Sequence, residues 1–185
     1  MQAQDFGFVL GPRINAAGRM DNMRIGIECL LTEDWSTAQR LAQELEQLNR
    51  TRRHVEGEMR AQADSIVQAL AATNNDNDAD ESGDTIIQHN TERQAVNNQD
   101  RSIILYQDDW HQGVIGIVAG RLKESHYLPS IVFAPADTER TGDDDAIKGS
   151  ARSIAGVHIR DAIELVAERH PDLISHFGGH AMAAG

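Results

Sequence analysis

Four short segments of this 185-residue chain carry residue types able to do chemistry. Lys148-Gly149-Ser150-Ala151-Arg152-Ser153 reads as a strand end bearing a hydroxyl, a small residue and a guanidinium. Backbone N–H groups, Ser150 and Arg152 converging there suit a phosphate, because charge-assisted bonds from Arg are strong and bidentate. The plain alternative is a strand-turn with an exposed Arg. Gly178-Gly179-His180 sets an imidazole beside a backbone that a ligand can approach closely. His180 could then contact an anionic oxygen or relay a proton. A solvated or structural histidine is the competing reading. Trp110-His111-Gln112-Gly113 precedes a helix N-terminus, a ready anion site. Arg13, Asn15 and Arg19 share one segment, and its two guanidiniums suit phosphate neutralisation or pairing with acids such as Asp21.

The remaining patterns narrow the chemistry. Gly113, Gly116 and Gly120 do not have the dinucleotide-binding spacing, and Gly116 and Gly120 read as helix-packing glycines. Nothing resembles a zinc site, a Ser-His-Asp set or a P-loop. The eight histidines are scattered, with no Asp-His-His cluster to hold a metal pair.

The elements that must position these residues are legible to different degrees. Phe6–Leu10 is apolar, and Gly11-Pro12 breaks regular structure. Ile25, Ile27 and Leu30-Leu31 suit a short helix. A new helix starts at Thr32, whose hydroxyl can cap it, with Glu33 and Asp34 favouring the positive dipole end. Leu41, Leu45, Leu48, Val55, Met59, Ile66 and Leu70 extend that helix over about 34–71, as a connector between domains. Residues 73–100 are too polar to bury a core and read as a flexible insertion. Then come a strand at 102–106, a helix with Val114, Ile117, Val118, Arg121 and Leu122, and a strand at 131–134. An acidic loop, a strand at 146–152 and a helix closing at His170-Pro171 follow. This order predicts a compact α/β domain. The closing Gly/Ala run leads us to expect a truncated domain.

Charge looks adverse to a nucleic-acid partner, at −12 overall. Its placement changes that. Seven acids and Arg93 give −6 at 73–100, and five acids and Arg140 give −4 at 137–145, so the rest is near neutral. Fifteen of the 17 basic residues are Arg, the better phosphate fork. No apolar run approaches the roughly 20 residues that span a bilayer, and Cys29 has no partner. We therefore expect a cytoplasmic protein without a membrane partner.

Taken together the segments stop looking generic. Gly11–Arg19, Trp110–Ala119, Lys148–Ser153 and Gly178–Gly185 occur in an order that resembles the RecJ family of single-stranded-DNA exonucleases, in the DHH phosphoesterase superfamily. The resemblance covers nearly everything outside 73–100. It implies the tail of a DHH domain at 1–31, a long connecting helix at 32–72 and a small DHH-associated α/β domain at 101–185. By position, Ser150, Ala151 and Arg152 match the segment that holds the DNA 5′-phosphate, assisted by Arg13 or Arg19 with Asn15 nearby. His180, after Gly178 and Gly179, matches the histidine that approaches the scissile phosphate, and His111 also sits at a motif position. The family's two Mn²⁺ or Mg²⁺ ions are held by motifs absent from this chain, as is its oligonucleotide-binding domain. The implied activity is 5′-to-3′ exonuclease action in recombination and repair, with this fragment inactive alone. Single-stranded DNA is the implied partner, beside the missing domains in cis and a helicase or single-stranded-DNA-binding protein. The rival readings are a non-catalytic nucleic-acid-binding or regulatory module, and a phosphodiesterase for short oligonucleotides or cyclic dinucleotides.

Overall fold

A computed structural model describes residues 2–75, 94–95, 102–137 and 146–185. The chain divides into two compact units, Met1–Glu58 and Met59–Gly185.

The first unit is helical. A short turn, α1 (Ala3–Asp5), runs into a π-helical segment (Phe6–Leu10) and then α2 (Gly11–Met20) and α3 (Arg24–Leu31). Gly11-Pro12, expected to break regular structure, instead opens α2. Proline is tolerated in a first turn, where its missing N–H has no partner to lose. The wider π turn before it hands the chain over, with the Gly11 N–H reaching the Phe6 carbonyl. Ala16 and Ala17 are the buried residues of α2. Gly26 lets α3 lie close to it: a Cβ there would come within 3.2 Å of Ile14.

The next helix, α4 (Trp35–Asn75), has 41 residues and is about 60 Å long at ~1.5 Å per residue. Its cap differs from expectation. Asp34, not Thr32, caps it: the carboxylate accepts the Thr37 N–H at 2.8 Å and the Ser36 hydroxyl at 2.6 Å. The Thr32 hydroxyl accepts only the Asp34 N–H, at 3.3 Å. The hydrogen bonds from Ser36 and Thr37 hold the Asp34 carboxyl down at about 2. The apolar stripe is also re-registered. Leu41, Leu45 and Asn49 are buried in the first unit, and Met59, Ala63 and Val67 in the second. Leu48, Val55, Ile66 and Leu70 are half-buried flanks, because strict steps of four keep one line of side chains inward. Asn49 is 1% exposed, its Oδ1 accepting Arg52 Nε at 3.3 Å and Nη2 at 3.1 Å. Arg52 pairs onward with Glu56 at 2.6 Å.

Apart from its share of α4, the second unit is an α/β layer structure. Its strands are β1 (Gln94–Ala95), β2 (Ile103–Tyr106), β3 (Ser130–Pro135), β4 (Ile147–Arg152), β5 (Gly179–His180) and β6 (Ala183–Ala184). They lie in the order β1-β2-β3-β4-β6-β5. Only β2 and β3 are parallel, joined by α5 (Ile115–His126) as a crossover. Helix α5 packs on β3 and β4, and Val114, Ile115, Val118, Ala119 and Leu122 are buried with Ile103, Leu105 and Val132. The opposite face carries α6 (Ile159–Arg169), whose Ile159 and Ile163 pack with Ala151, Ala184 and Ile131. The His158 ring caps α6 by accepting the Asp161 N–H at 3.2 Å.

The predicted strand-helix-strand-strand-helix order is present. Residues 178–185, expected as a turn, form the β5–β6 hairpin on the sheet edge. Alanine and glycine carry no alternating pattern to announce a strand. Most of the flexible insertion expected at 73–100 lies outside the described residues, as does the acidic loop at 138–145. Within 73–100, α4 continues to Asn75 and Gln94–Ala95 pair with Leu105 and Ile104 of β2. No described helix is long and apolar enough to cross a membrane.

Candidate phosphate-binding face

Alternation along β4 decides which of its residues can act together. Lys148, Ser150 and Arg152 are paired with Ala134, Val132 and Ser130 of β3, so they share the α5 face. Ala151 points the other way and is buried with Ile159 and Ala184. Its carbonyl anchors Arg152, accepting Nη1 at 2.7 Å. The same nitrogen donates to the Ser150 hydroxyl at 3.1 Å.

Ser150 and Arg152 fit beneath the start of α5 because of Gly116. A Cβ at that position would lie 2.9 Å from both Arg152 Nη2 and Ser150 Oγ. Gly116 is thus the packing glycine expected, whereas Gly120 faces open space. No side chain caps α5, so its first N–H groups end beside this pair without one. The lead-in turn is tightly specified. Trp110 N–H reaches Gln107 at 3.3 Å, Val114 N–H reaches the His111 carbonyl at 3.0 Å, and Gly113 N–H reaches His111 Nδ1 at 3.0 Å. A neutral His111 accepting at Nδ1 carries its proton on Nε2.

His180 reaches the same face through the hairpin. Gly178 and Gly185 exchange both backbone bonds, at 2.9 and 3.0 Å. Ser153 N–H to Met182 and Ile159 N–H to Ala181, each 3.0 Å, pin the hairpin to the sheet. His180 pairs with Ala183, and Ala183 with Arg152. Direct partners across antiparallel strands share a face, so exposed His180 stands two strands, or about 10 Å, from Arg152. Gly179 has φ +142, and a Cβ on it would overlap the Ala183 carbonyl. Its bareness serves its own hairpin, and Gly178 lies in open space.

The sequence-predicted residues Arg13, Asn15 and Arg19 belong to the first unit, on α2. Arg13 is engaged with Glu46 at 2.6 Å and the Val9 carbonyl at 2.6 Å, not with Asp21. Arg13 and Arg50 both hold the Glu46 carboxyl below its usual range, with Arg50 the larger influence. Asn15 and Arg19 are exposed, four residues apart on one helix face. Among the described residues, no three His, Cys, Asp or Glu side chains gather as a metal site. The donors among the described residues therefore do not fit a divalent-metal pair. Sequence reasoning missed what holds the α5 lead-in: Trp110 is 4% exposed, and its Nε1–H donates to Gln62 at 2.6 Å. A lone glutamine on a helix gives no signal in a single sequence.

Residues 99–185 match the DHHA1 domain family. Single-stranded-DNA-specific exonuclease RecJ of Haemophilus influenzae is 44% identical over 183 residues, covering 99% of this chain and 27% of the relative. The RecJ of Escherichia coli is 40% identical over 185 residues, 100% of this chain and 27% of that protein. The crystal structure of Thermus thermophilus RecJ in complex with Mg²⁺ aligns with TM-score 0.64 at 29% identity, covering 100% of this chain and 23% of that one. The chain thus spans about a quarter of the length of the relatives it matches. Residues 99–185 thus carry a DHHA1 domain, and the chain, a mixed sheet with flanking helices, is similar over nearly its whole length to part of bacterial RecJ proteins and to part of a RecJ structure.

Proposed function

We propose that this chain is the DNA-gripping part of a 5′-to-3′ single-stranded-DNA exonuclease whose Mn²⁺ or Mg²⁺ ions are held by residues elsewhere in the full-length protein. The observation that carries the reading is the Arg152–Ser150 pair seated under Gly116 at the uncapped start of α5, with His180 in register on the same face. A guanidinium, a hydroxyl and helix N–H groups together suit a doubly charged terminal phosphate better than a singly charged internal diester. His180 faces the scissile phosphate in this reading, and His111 lines the approach. Arg13, locked to Glu46, is given the task of holding α2 to α4, and Arg19 and Asn15 are given the DNA. In the same reading, residues 1–31 are the tail of the DHH domain, 32–72 the connecting helix and 101–185 the DHH-associated domain. The partners are single-stranded DNA, the DHH and oligonucleotide-binding domains in cis, and a helicase or single-stranded-DNA-binding protein, in the cytoplasm.

The test is Arg152→Ala in the full-length enzyme. A charge-assisted hydrogen bond contributes roughly 1.5–3 kcal/mol, so affinity for 5′-phosphorylated oligonucleotides should fall about 10- to 100-fold. The fall should be smaller for 5′-hydroxyl oligonucleotides at the same salt concentration. Equal losses would mark Arg152 as a general backbone contact and overturn the assignment.

A further inference from the structure

We infer that Gln62, on α4 and outside the DHHA1 match, is a positioning residue for the phosphate site. The inference rests on the reading of Arg152 and Ser150 given above. Gln62 uses both ends of its amide on one turn. Oε1 accepts the Trp110 indole N–H at 2.6 Å, and Nε2 donates to Asp109 Oδ2 at 3.4 Å. The orientation is chemically determined, because a flipped amide would set N–H against N–H and oxygen against carboxylate. Met59, Ala63 and Val67 bury the neighbouring line of α4, so the amide projects from a fixed helix surface.

What Gln62 holds leads directly to the site. Trp110 is nearly fully buried, and the chain passes directly from it into a turn braced by the Gly113 and Val114 N–H bonds to His111, which leads into α5. Two residues beyond Val114 is Gly116, with no room to spare above Arg152 Nη2 and Ser150 Oγ. Movement of the turn must therefore move the roof over the guanidinium. At the other end of α5, His126 stands 4.0 Å from Asp64 of α4, a longer tie. The tight restraint is at the phosphate end.

The experiment compares Gln62→Met, which fills the space without polar atoms, with the double variant Gln62→Glu plus Asp109→Asn, which keeps an acceptor for Trp110 and a donor–acceptor pair between positions 62 and 109, in the full-length enzyme. Affinities for 5′-phosphorylated and 5′-hydroxyl oligonucleotides are measured at one salt concentration, with Arg152→Ala as reference. Gln62→Met should weaken the phosphorylated DNA by about 3- to 10-fold, the value of one neutral hydrogen bond, and the hydroxyl DNA less than twofold. Gln62→Glu with Asp109→Asn should recover most of that selectivity. Adding Gln62→Met to Trp110→Phe should cost nothing further. Selectivity lost with Arg152→Ala but untouched by Gln62→Met, or lost equally in Gln62→Met and in the Gln62→Glu, Asp109→Asn double variant, overturns the positioning role. If Arg152→Ala itself weakens both DNAs equally, the phosphate-site reading falls and the inference with it.

Discussion

At Gly116 a hydrogen stands where any other residue would put a carbon 2.9 Å from two polar side-chain tips. Those tips are the far ends of Arg152 and Ser150, which can swing aside without moving the backbone. Gly116→Ala should therefore leave the Tm within a few degrees while weakening binding of 5′-phosphorylated DNA several-fold. Binding that is unchanged in a fluorescence titration would show that Arg152 does not need that position. Gly179 is the opposite case. Its φ of +142 is strained for any side chain, and its Cβ would meet the backbone of Ala183 and Ala184. Forcing an L residue there costs about 1–3 kcal/mol, so Gly179→Ala should lower the Tm by several degrees. Both glycines were visible in the sequence, and only their surroundings separate a binding effect from a folding effect.

Helix α4 shows how far elements can be read from one chain. Its existence and approximate length follow from the apolar spacing and the lack of proline. Its inward line does not, because Asn49 and Ala63 look neutral in sequence and turn out to be buried. Strands β2 to β4 and helices α5 and α6 were legible because each buries one face or one stripe against the sheet. The β5–β6 hairpin was not, since Gly178 to Gly185 has almost no side-chain pattern, and Pro12 looked like a break although it sits where a helix accepts it. The Ser150–Arg152 pair was legible by motif, whereas Gln62 became visible only once α4 was seen to pass Trp110. The cap of α4 yields a pH prediction. Asp34 has its carboxyl lowered from the ordinary carboxylate range to about 2, first by the Ser36 hydroxyl and then by Thr37. A lowered folded value means the cap's contribution is complete above about pH 4 and disappears as pH falls toward 2. An NMR titration of the Asp34 carboxyl carbon should show that low midpoint, and Ser36→Ala should move it up. A midpoint that is the same with and without the Ser36 hydroxyl would remove the assigned cause.

For the whole molecule, charge and ligand placement decide what the chain can do by itself. Of the net −12, −10 comes from 73–100 and 137–145, leaving a near-neutral body whose basic residues are almost all Arg. Such a body can grip a phosphate locally without attracting DNA over long distances, so binding should depend on salt with a shallow slope. Cutting the phosphodiester is a different demand. In-line attack by water on a two-metal centre needs several carboxylates and imidazoles around both ions. Among the described residues no such group of three exists, and His180, two strands from Arg152, has no acid or second histidine in register with it. The chain spans about a quarter of its exonuclease relatives, which leaves ample sequence for those ligands. The purified 185-residue chain, incubated with Mn²⁺ and 5′-phosphorylated single-stranded DNA, should therefore release no nucleotides. A contaminating nuclease would be indifferent to Arg152→Ala. Release that occurs with the natural chain and stops with that variant would show that the metal ligands lie within these residues after all.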